Sequence, residues 1–240
     1  MRKSTKIIIG VLTVGALMVG GFLVWFYLIR DEAPAALDSG DLDQALGGTT
    51  PAGGTTPSDG TTGVTISDPS GTWVASSDST LGYRVNEVLS GLDTEAAGRT
   101  NEVTGTLTVE GTTVTAAEFT VDMASISSDD NRRDANFRGR IMSVDQFPTA
   151  TFVLTEPIQL TAVPAAGETV TVTVTGDLTL HGTTRGVTFQ LEAKVDNGRI
   201  GVLGSIPILF SDYGIPDPSN SIAKVKDNGL LEFVLVFDKS

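Results

Sequence analysis

Apolar and polar side chains alternate along most of the chain beyond residue 72. In residues 170–175, valine and threonine alternate strictly, which places the valines on one face of a strand and the threonines on the other. His181 and Gly182 interrupt the pattern, and apolar residues alternate again over residues 187–195. The pattern predicts two strands joined by a tight turn, in which Gly182 takes the positive φ that many hairpin turns need.

Similar segments recur over residues 73–240, separated by turn signals such as Glu110-Gly111, Asp196-Asn197-Gly198 and Asp227-Asn228-Gly229. The predicted strands cover residues 81–88, 103–109, 119–123, 151–155, 170–175, 187–195, 200–210 and 231–237. About eight or nine antiparallel strands are enough to close a barrel around a ligand. A sandwich would show the same alternation, because periodicity reports one buried face and not closure. The polar stretch 125–145 breaks the rhythm and predicts a short helix or a long loop at the rim or in one end of a barrel.

Residues 7–29 carry no charge and are mostly apolar. As a helix, roughly 23 residues would extend about 35 Å, enough to cross a bilayer. Basic residues at positions 2, 3 and 6 precede this segment, and Asp31 and Glu32 follow it. The positive-inside rule then predicts a cytoplasmic N-terminus with a transmembrane anchor over residues 1–30, and an extracytoplasmic remainder. The alternative is a cleaved signal peptide, for which Ala33-Pro34-Ala35 is a candidate cleavage site.

Residues 31–72 are rich in Gly, Thr and Pro and poor in apolar side chains. This composition predicts a flexible linker, in which residues 41–46 form one helical turn at most. A flexible tether of about 40 residues would have a root-mean-square span near 35 Å. The sequence therefore predicts three parts: residues 1–30, the linker 31–72 and a globular domain over 73–240.

Composition and charge exclude several kinds of chemistry. The net charge of −13 argues against a nucleic-acid partner, and the absence of cysteine excludes disulfides and thiolate chemistry. Asp129-Asp130-Asn131 lacks the glycine and the distal glutamate of a calcium loop, so we expect no metal site there. No nucleophile elbow, zinc motif or phosphate loop is present, so we expect a non-enzymatic protein without catalytic residues or a cofactor. A paired-carboxylate hydrolase stays open, because the geometry of Asp and Glu is not visible in a sequence.

Five patches of residues 72–238 resemble the YceI-like family, and they occur in the family's order. Gly176–Val187 resembles its G-x-L-T-(apolar)-x-G-x-T-(Arg/Lys) signature, and Asp145–Phe152 resembles its F-D-x-x-x-F-P-x-A-x-F region. The other three patches are Trp73–Val85, Ser125–Asp134 and Phe210–Ile215. The chain departs from the family's pattern at four positions: it has Asp78 in place of histidine, Tyr83 in place of phenylalanine, Val144 in place of an aromatic residue and Phe210 in place of arginine.

The resemblance implies an all-β, eight-stranded antiparallel, lipocalin-like barrel with a short helical insertion. It also implies an apolar interior that holds a polyprenyl or quinone tail. Candidate tail-lining residues are Phe119, Val121, Met123, Phe152, Leu178, Leu180, Phe189, Leu191, Phe233 and Leu235. Each could equally be core outside the barrel, since alternation does not separate inside from outside, and we expect about half to contact the ligand.

Arginine and histidine are the candidates for holding a phosphate-bearing head group, because a guanidinium binds phosphate through paired hydrogen bonds. The candidates are Arg132, Arg138, Arg185 and His181. The competing interpretation gives each arginine a surface ion pair with Asp129, Asp130 or Asp134. The only histidine in the chain, His181, would instead order the turn beside Gly182.

The sequence thus predicts a membrane-tethered, extracytoplasmic barrel whose partners are the plasma membrane and an isoprenoid lipid. The lipid would be a quinone or a polyprenyl phosphate, bound for storage, transport or stress protection. The alternatives are a structural or adhesive β-sandwich displayed on a stalk, without a ligand, and a hydrolase.

Overall fold

The computed structural model describes residues 33–47, 66, 68–89, 91–221 and 223–240. The predicted anchor, residues 7–29, lies outside these residues. Within the described part of the chain, no helix is long and apolar enough to cross a bilayer. Residues Pro34–Ser240 form one compact unit with its own core, as expected of a segment that folds independently.

The described residues form twelve strands and two short α-helices. The strands are β1 (Gly71–Ala75), β2 (Thr80–Leu89), β3 (Leu92–Thr100), β4 (Val103–Glu110), β5 (Thr113–Asp122), β6 (Thr149–Leu154), β7 (Ile158–Gln159), β8 (Thr169–Leu180), β9 (Thr183–Asp196), β10 (Arg199–Leu209), β11 (Ala223–Val225) and β12 (Asn228–Lys239). The helices are α1 (Ser39–Ala45) and α2 (Asn131–Asn136). A 3-10 turn (Met123–Ser125) and a π-helical turn (Phe137–Ile141) flank α2, and a second 3-10 turn (Phe210–Tyr213) follows β10.

The sheet closes into an eight-stranded antiparallel barrel. Its wall follows the order β1-β4-β5-β6-β8-β9-β10-β12, and β12 pairs back onto β1. Closure confirms the predicted barrel and makes the sandwich interpretation wrong. Strands that are adjacent in the wall follow one another along the chain, when β2 is counted with β1 and β3 with β4. The topology is therefore a simple up-and-down meander.

Two further strands, β2 and β3, extend the wall at the β1 and β4 positions. β1 and β2 both pair with β12, one after the other along its length. β4 pairs with β1, and β3 pairs with β2. β3 was not predicted, because its sequence, Leu-Asp-Thr-Glu-Ala-Ala-Gly-Arg-Thr, has no alternation of large apolar residues. Small residues form its buried stretch, Ala96–Gly98, and the bulky partner is supplied by Tyr83 on β2.

The tight turn between β8 and β9 has the positive φ that the sequence predicted at Gly182. Gly182 has φ of 72° and His181 has φ of 50°, so β8 and β9 are joined by a two-residue hairpin turn. Asn197 and Gly198 repeat this conformation between β9 and β10. These turns set the register in which Leu180 faces Thr183.

The chain before β1 is more ordered than its composition predicted. α1 spans seven residues, begins with a capping box at Asp38 and packs on the outer face of β10 and β12. We call residues 34–47 the strap. Leu42, which is 1% exposed, and Leu46 bury their side chains against Val234 and Val236. The prediction of one helical turn in a flexible linker is therefore wrong for the strap, whereas residues 48–65 and 67 lie outside the described residues.

A buried ion cluster fixes the beginning of the strap. Glu232, 3% exposed, bonds Arg84 at 3.2 Å and Arg99 at 2.9 Å on the outer face of the barrel. The same two guanidinium groups donate to the backbone oxygens of Pro34, at 2.6 Å, and Ala35. The strap thus adds hydrogen-bond acceptors to two guanidinium groups that already pair with Glu232, and buried charges need such partners.

Candidate functional site

The inner face of the barrel is apolar throughout its middle. All ten candidate tail-lining residues belong to the same core cluster, and none lies on the outer face. Nine of them project from the strands of the wall. Met123 lies just beyond β5, in the 3-10 turn, so its place in an alternating strand was predicted wrongly. Which of the ten contact a ligand stays a prediction.

Four phenylalanines form a belt around the middle of this face. We call Phe119, Phe152, Phe189 and Phe233 the aromatic belt. The ring of Phe189 lies 5.7 Å from that of Phe152 and 6.1 Å from that of Phe233, both edge to face. Phe119 is paired directly with Phe152 across β5 and β6. Edge-to-face contacts stabilise such rings in place, so the belt forms a defined part of the wall.

The inner wall is incompletely covered by the protein's own side chains. Phe119, Phe152 and Leu191 of the candidate set point inward, yet they are only half-buried. Their inward-facing neighbours Val172 and Val202 are half-buried too. Large apolar side chains on the inside of a closed barrel normally pack to full burial in a filled core. Their remaining accessible surface indicates room inside the barrel.

One end of the barrel, which we call the upper end, is covered by residues 123–148. Phe137 of this insertion stacks on Tyr83 of β2, with ring centroids 5.0 Å apart and planes 9° from parallel. Burial raises the pKa of Tyr83 to about 12, with Arg133 opposing the rise and the nearby carboxylates of Asp134, Asp129 and Glu87 adding to it. The prediction that this polar stretch forms a short helix closing one end of a barrel agrees with the structure.

The opposite, lower end is filled by large side chains. Trp73 is fully buried, and its indole N–H donates to the backbone oxygen of Pro69 at 2.8 Å. Phe237, 5.5 Å from the ring of Phe119, lies beside it at the base of the core. A guest molecule inside the barrel would therefore lie between this base and the helical insertion.

The four head-group candidates all lie at the upper end, but the structure brings only two of them together. His181 and Arg185 both contact the 3-10 turn Phe210–Tyr213: His181 Nδ1 lies 3.3 Å from the backbone oxygen of Tyr213, and Arg185 Nε donates to that of Asp212 at 2.9 Å. Arg138 donates weakly to the backbone oxygen of Ile126, at 3.4 Å, from the π-helical turn. Arg132 is exposed on α2.

The local contacts of His181 fit the alternative, turn-ordering role. Its ring lies 4.7 Å from that of Phe147, edge to face, and a side chain at Gly182 would come within 2.8 Å of the same ring. Phe147 is thus a packing anchor of this turn. The acidic stretch before α2 also has a structural role, because Asp130 caps the helix by accepting from the backbone N–H of Arg132 at 2.7 Å.

Sequence reasoning missed a charged residue inside the upper end. Glu87 continues the inward-facing series of Leu81, Tyr83 and Val85, and it is buried. Its carboxylate lies 3.8 Å from the guanidinium of Arg133 in the insertion. The signal was present in the sequence as a carboxylate at an apolar-face position of β2. The pair connects the insertion to the wall and adds polarity to the upper end of an otherwise apolar interior.

Comparison with known proteins agrees with this architecture. A family model described as YceI-like domain matches residues 73–237. A UPF0312 protein of Pseudomonas putida strain W619 is 34% identical over 130 residues, and one of Pseudomonas aeruginosa strain LESB58 is 32% identical over 127 residues. These matches cover 50% and 49% of this chain, and 64% and 62% of the relatives' own lengths.

Two solved structures have a similar fold. A polyisoprenoid binding domain from Saccharophagus degradans, implicated in plant cell wall breakdown, superposes with a TM-score of 0.57 at 18% identity, covering 70% of this chain and 98% of that one. BcnA of Burkholderia cenocepacia superposes with a TM-score of 0.52 at 20% identity, covering 65% of this chain and 95% of that one. At these identities the similarity shows the shared fold.

Proposed function

Because the chain belongs to the YceI-like domain family, we propose that its barrel binds one isoprenoid lipid, a quinone or a polyprenyl phosphate, with the tail inside the barrel. The observation that carries this proposal is the inner wall: a closed ring of apolar side chains whose central members keep accessible surface. The similarity to a domain described as polyisoprenoid binding supports the same conclusion.

The chemistry of the wall suits a prenyl tail. Burying apolar surface contributes about 25 cal/mol per Å², so each five-carbon unit adds a few kcal/mol to binding. The aromatic belt offers ring faces and edges to the double bonds of such a chain. Affinity would then grow with tail length, and head-group contacts would mainly orient the lipid.

The upper end is the proposed position of the head group. His181 and Arg185 lie together there, with Arg138 on the neighbouring insertion. Guanidinium groups recognise phosphate through several donors at once, whereas a quinone carbonyl needs only one donor. This arrangement would accept either type of head group.

We also propose that residues 7–29 anchor the chain in the plasma membrane and that the barrel is extracytoplasmic, serving storage or transport of the lipid. The charge asymmetry around this segment supports the orientation. Resistance of the full chain to alkaline extraction from membranes, together with protease access to the barrel only from outside the cell, would test it.

The test of lipid binding is organic extraction of purified residues 34–240, followed by mass spectrometry. We expect a prenyl lipid in stoichiometric amount. Leu191→Trp places a larger side chain on the inner wall and is expected to abolish co-purification. Val153→Trp changes an outward residue that is 42% exposed and serves as the matched control. A lipid-free wild-type protein, or equal lipid in both variants, would refute the proposal.

A further inference from the structure

Glycines alternate with the aromatic belt around the barrel wall. Following neighbouring strands, Phe152 on β6 is followed by Gly176 on β8, Phe189 on β9, Gly204 on β10 and Phe233 on β12. Gly204 is the direct cross-strand partner of Phe233, while Phe152 leans over Gly176, the partner of the next inward residue, Leu154. Each ring thus has a neighbouring strand position without a side chain.

The rings occupy the space that these glycines leave. A Cβ at Gly176 would lie 2.6 Å from Cε2 of Phe152, and one at Gly204 would lie 2.6 Å from Cζ of Phe233. The same relation holds at the edges of the inner wall, where a Cβ at Gly105 would meet Phe119 at 2.5 Å and one at Gly98 would meet Tyr83 at 2.6 Å. The rings of Phe152 and Phe233 therefore extend over the backbone of the neighbouring strands β8 and β10.

From this packing we infer that Gly204 determines which prenyl tails the barrel accepts, by leaving room for the Phe233 ring against the wall so that a chain can pass it. The inference rests on the proposed function and names a residue that sets its specificity. The belt lies between the upper end and the Trp73 base, so a ring displaced into the interior would stop a tail at that level. Short tails would still bind on one side of the belt, whereas long tails would not fit.

Alanine substitution tests this at Gly204, because this glycine has no positive φ and its Cβ would meet only the side chains of Phe233 and Leu191. A Cβ at Gly176 would also lie 2.6 Å from the backbone oxygen of Val153, so alanine there would displace the strand as well as the ring. The methyl group added at position 204 must move the Phe233 ring, since real Cβ atoms do not approach other atoms so closely. Gly186→Ala is the matched control: Gly186 faces outward on β9, and its Cβ would have Asp177 as a neighbour only at 3.8 Å.

The experiment measures the affinity of lipid-stripped residues 34–240 for geraniol, farnesol and geranylgeraniol, which differ by one isoprene unit each. In the wild type, affinity should rise with every unit. We expect Gly204→Ala to weaken geranylgeraniol binding about tenfold or more, which corresponds to 1.4 kcal/mol, and to leave geraniol binding unchanged. Gly186→Ala should follow the wild type. Adding Phe233→Leu to Gly204→Ala should restore long-tail binding, since the smaller side chain no longer blocks the interior.

The results separate the inference from the proposed function. If the wild type binds prenols but Gly204→Ala keeps its length dependence, or loses all three prenols equally, the inference is overturned and the proposed function stands. If the wild type binds none of the three, both are overturned. Loss confined to the longer tails, with rescue by Phe233→Leu, establishes Gly204 as a specificity determinant.

Discussion

The strap offers the sharpest test of how this fold is stabilised, through the substitution Leu42→Ala. Leu42 is 1% exposed and lies on the outer wall, where a Cβ at Gly201 would approach its Cδ1 to 2.7 Å. The leucine is therefore seated directly on the backbone of β10, and no side chain at position 201 is available to fill the space it would leave.

The magnitude follows from this geometry. Leu→Ala removes the equivalent of about three buried carbon groups at about 0.8 kcal/mol each, and the unfilled cavity adds a further penalty. We expect the free energy of unfolding of residues 34–240 to fall by about 3 kcal/mol. For an m-value of roughly 2 kcal/mol per molar, the urea midpoint should fall by about 1.5 M.

Leu209→Ala is the matched control, because Leu209 is 46% exposed and its truncation should cost less than about 0.5 kcal/mol. Equal midpoints for the two variants, measured by circular dichroism with an unchanged m-value, would refute the reasoning. That result would mean that the strap does not unfold together with the barrel and contributes nothing to its cooperative stability.

Two further predictions concern buried polar groups. Glu232→Gln leaves Arg84 and Arg99 without their shared carboxylate. It should lower the free energy of unfolding by about 3 kcal/mol, measured in urea titrations. Glu95→Gln is the control, because the Glu95 side chain is half-exposed and its replacement should change the free energy of unfolding little. Since the pKa of Tyr83 is raised to about 12, its protonated phenol favours the folded state, and this contribution is present below pH 10 and lost as the pH rises from about 10 to 12. Between pH 9 and pH 11, wild type should therefore lose about 1 kcal/mol more stability than Tyr83→Phe; identical pH profiles would contradict the assigned burial.

The parts of the fold that depend on local chemistry were predictable. Strict alternation identified β8 and β9, and the Asn-Gly and His-Gly pairs identified their turns, because period-two patterning and positive φ act over a few residues. β3 was not predictable in this way, since it contributes alanine and glycine, and Tyr83 of the neighbouring strand fills the space above them. The strap was missed for a similar reason: two leucines spaced four residues apart are too few to predict a stable helix without their partners on β10 and β12.

For the candidate site too, residue identity was predictable from the sequence, whereas spatial position was not. The apolar identity of its ten residues was readable from the sequence, but their common position on the inner face was not, because alternation leaves inside and outside equivalent. Glu87 stood in the sequence as a break in an apolar series, and only the tertiary structure placed Arg133 of the insertion beside it.

By itself, the sequence determined an all-β domain with one apolar face to each strand, the positions of its tight turns and a polar insertion. Only the tertiary structure decided that the sheet closes on itself, that the strap docks outside it, and that the rings of Phe152 and Phe233 lie over glycines of neighbouring strands. The physical reason is the sequence separation over which each interaction acts. Strand alternation and turn chemistry act between residues that are close in sequence. Closure and packing join groups far apart in sequence, such as Phe119 and Phe237 or Leu42 and Val236.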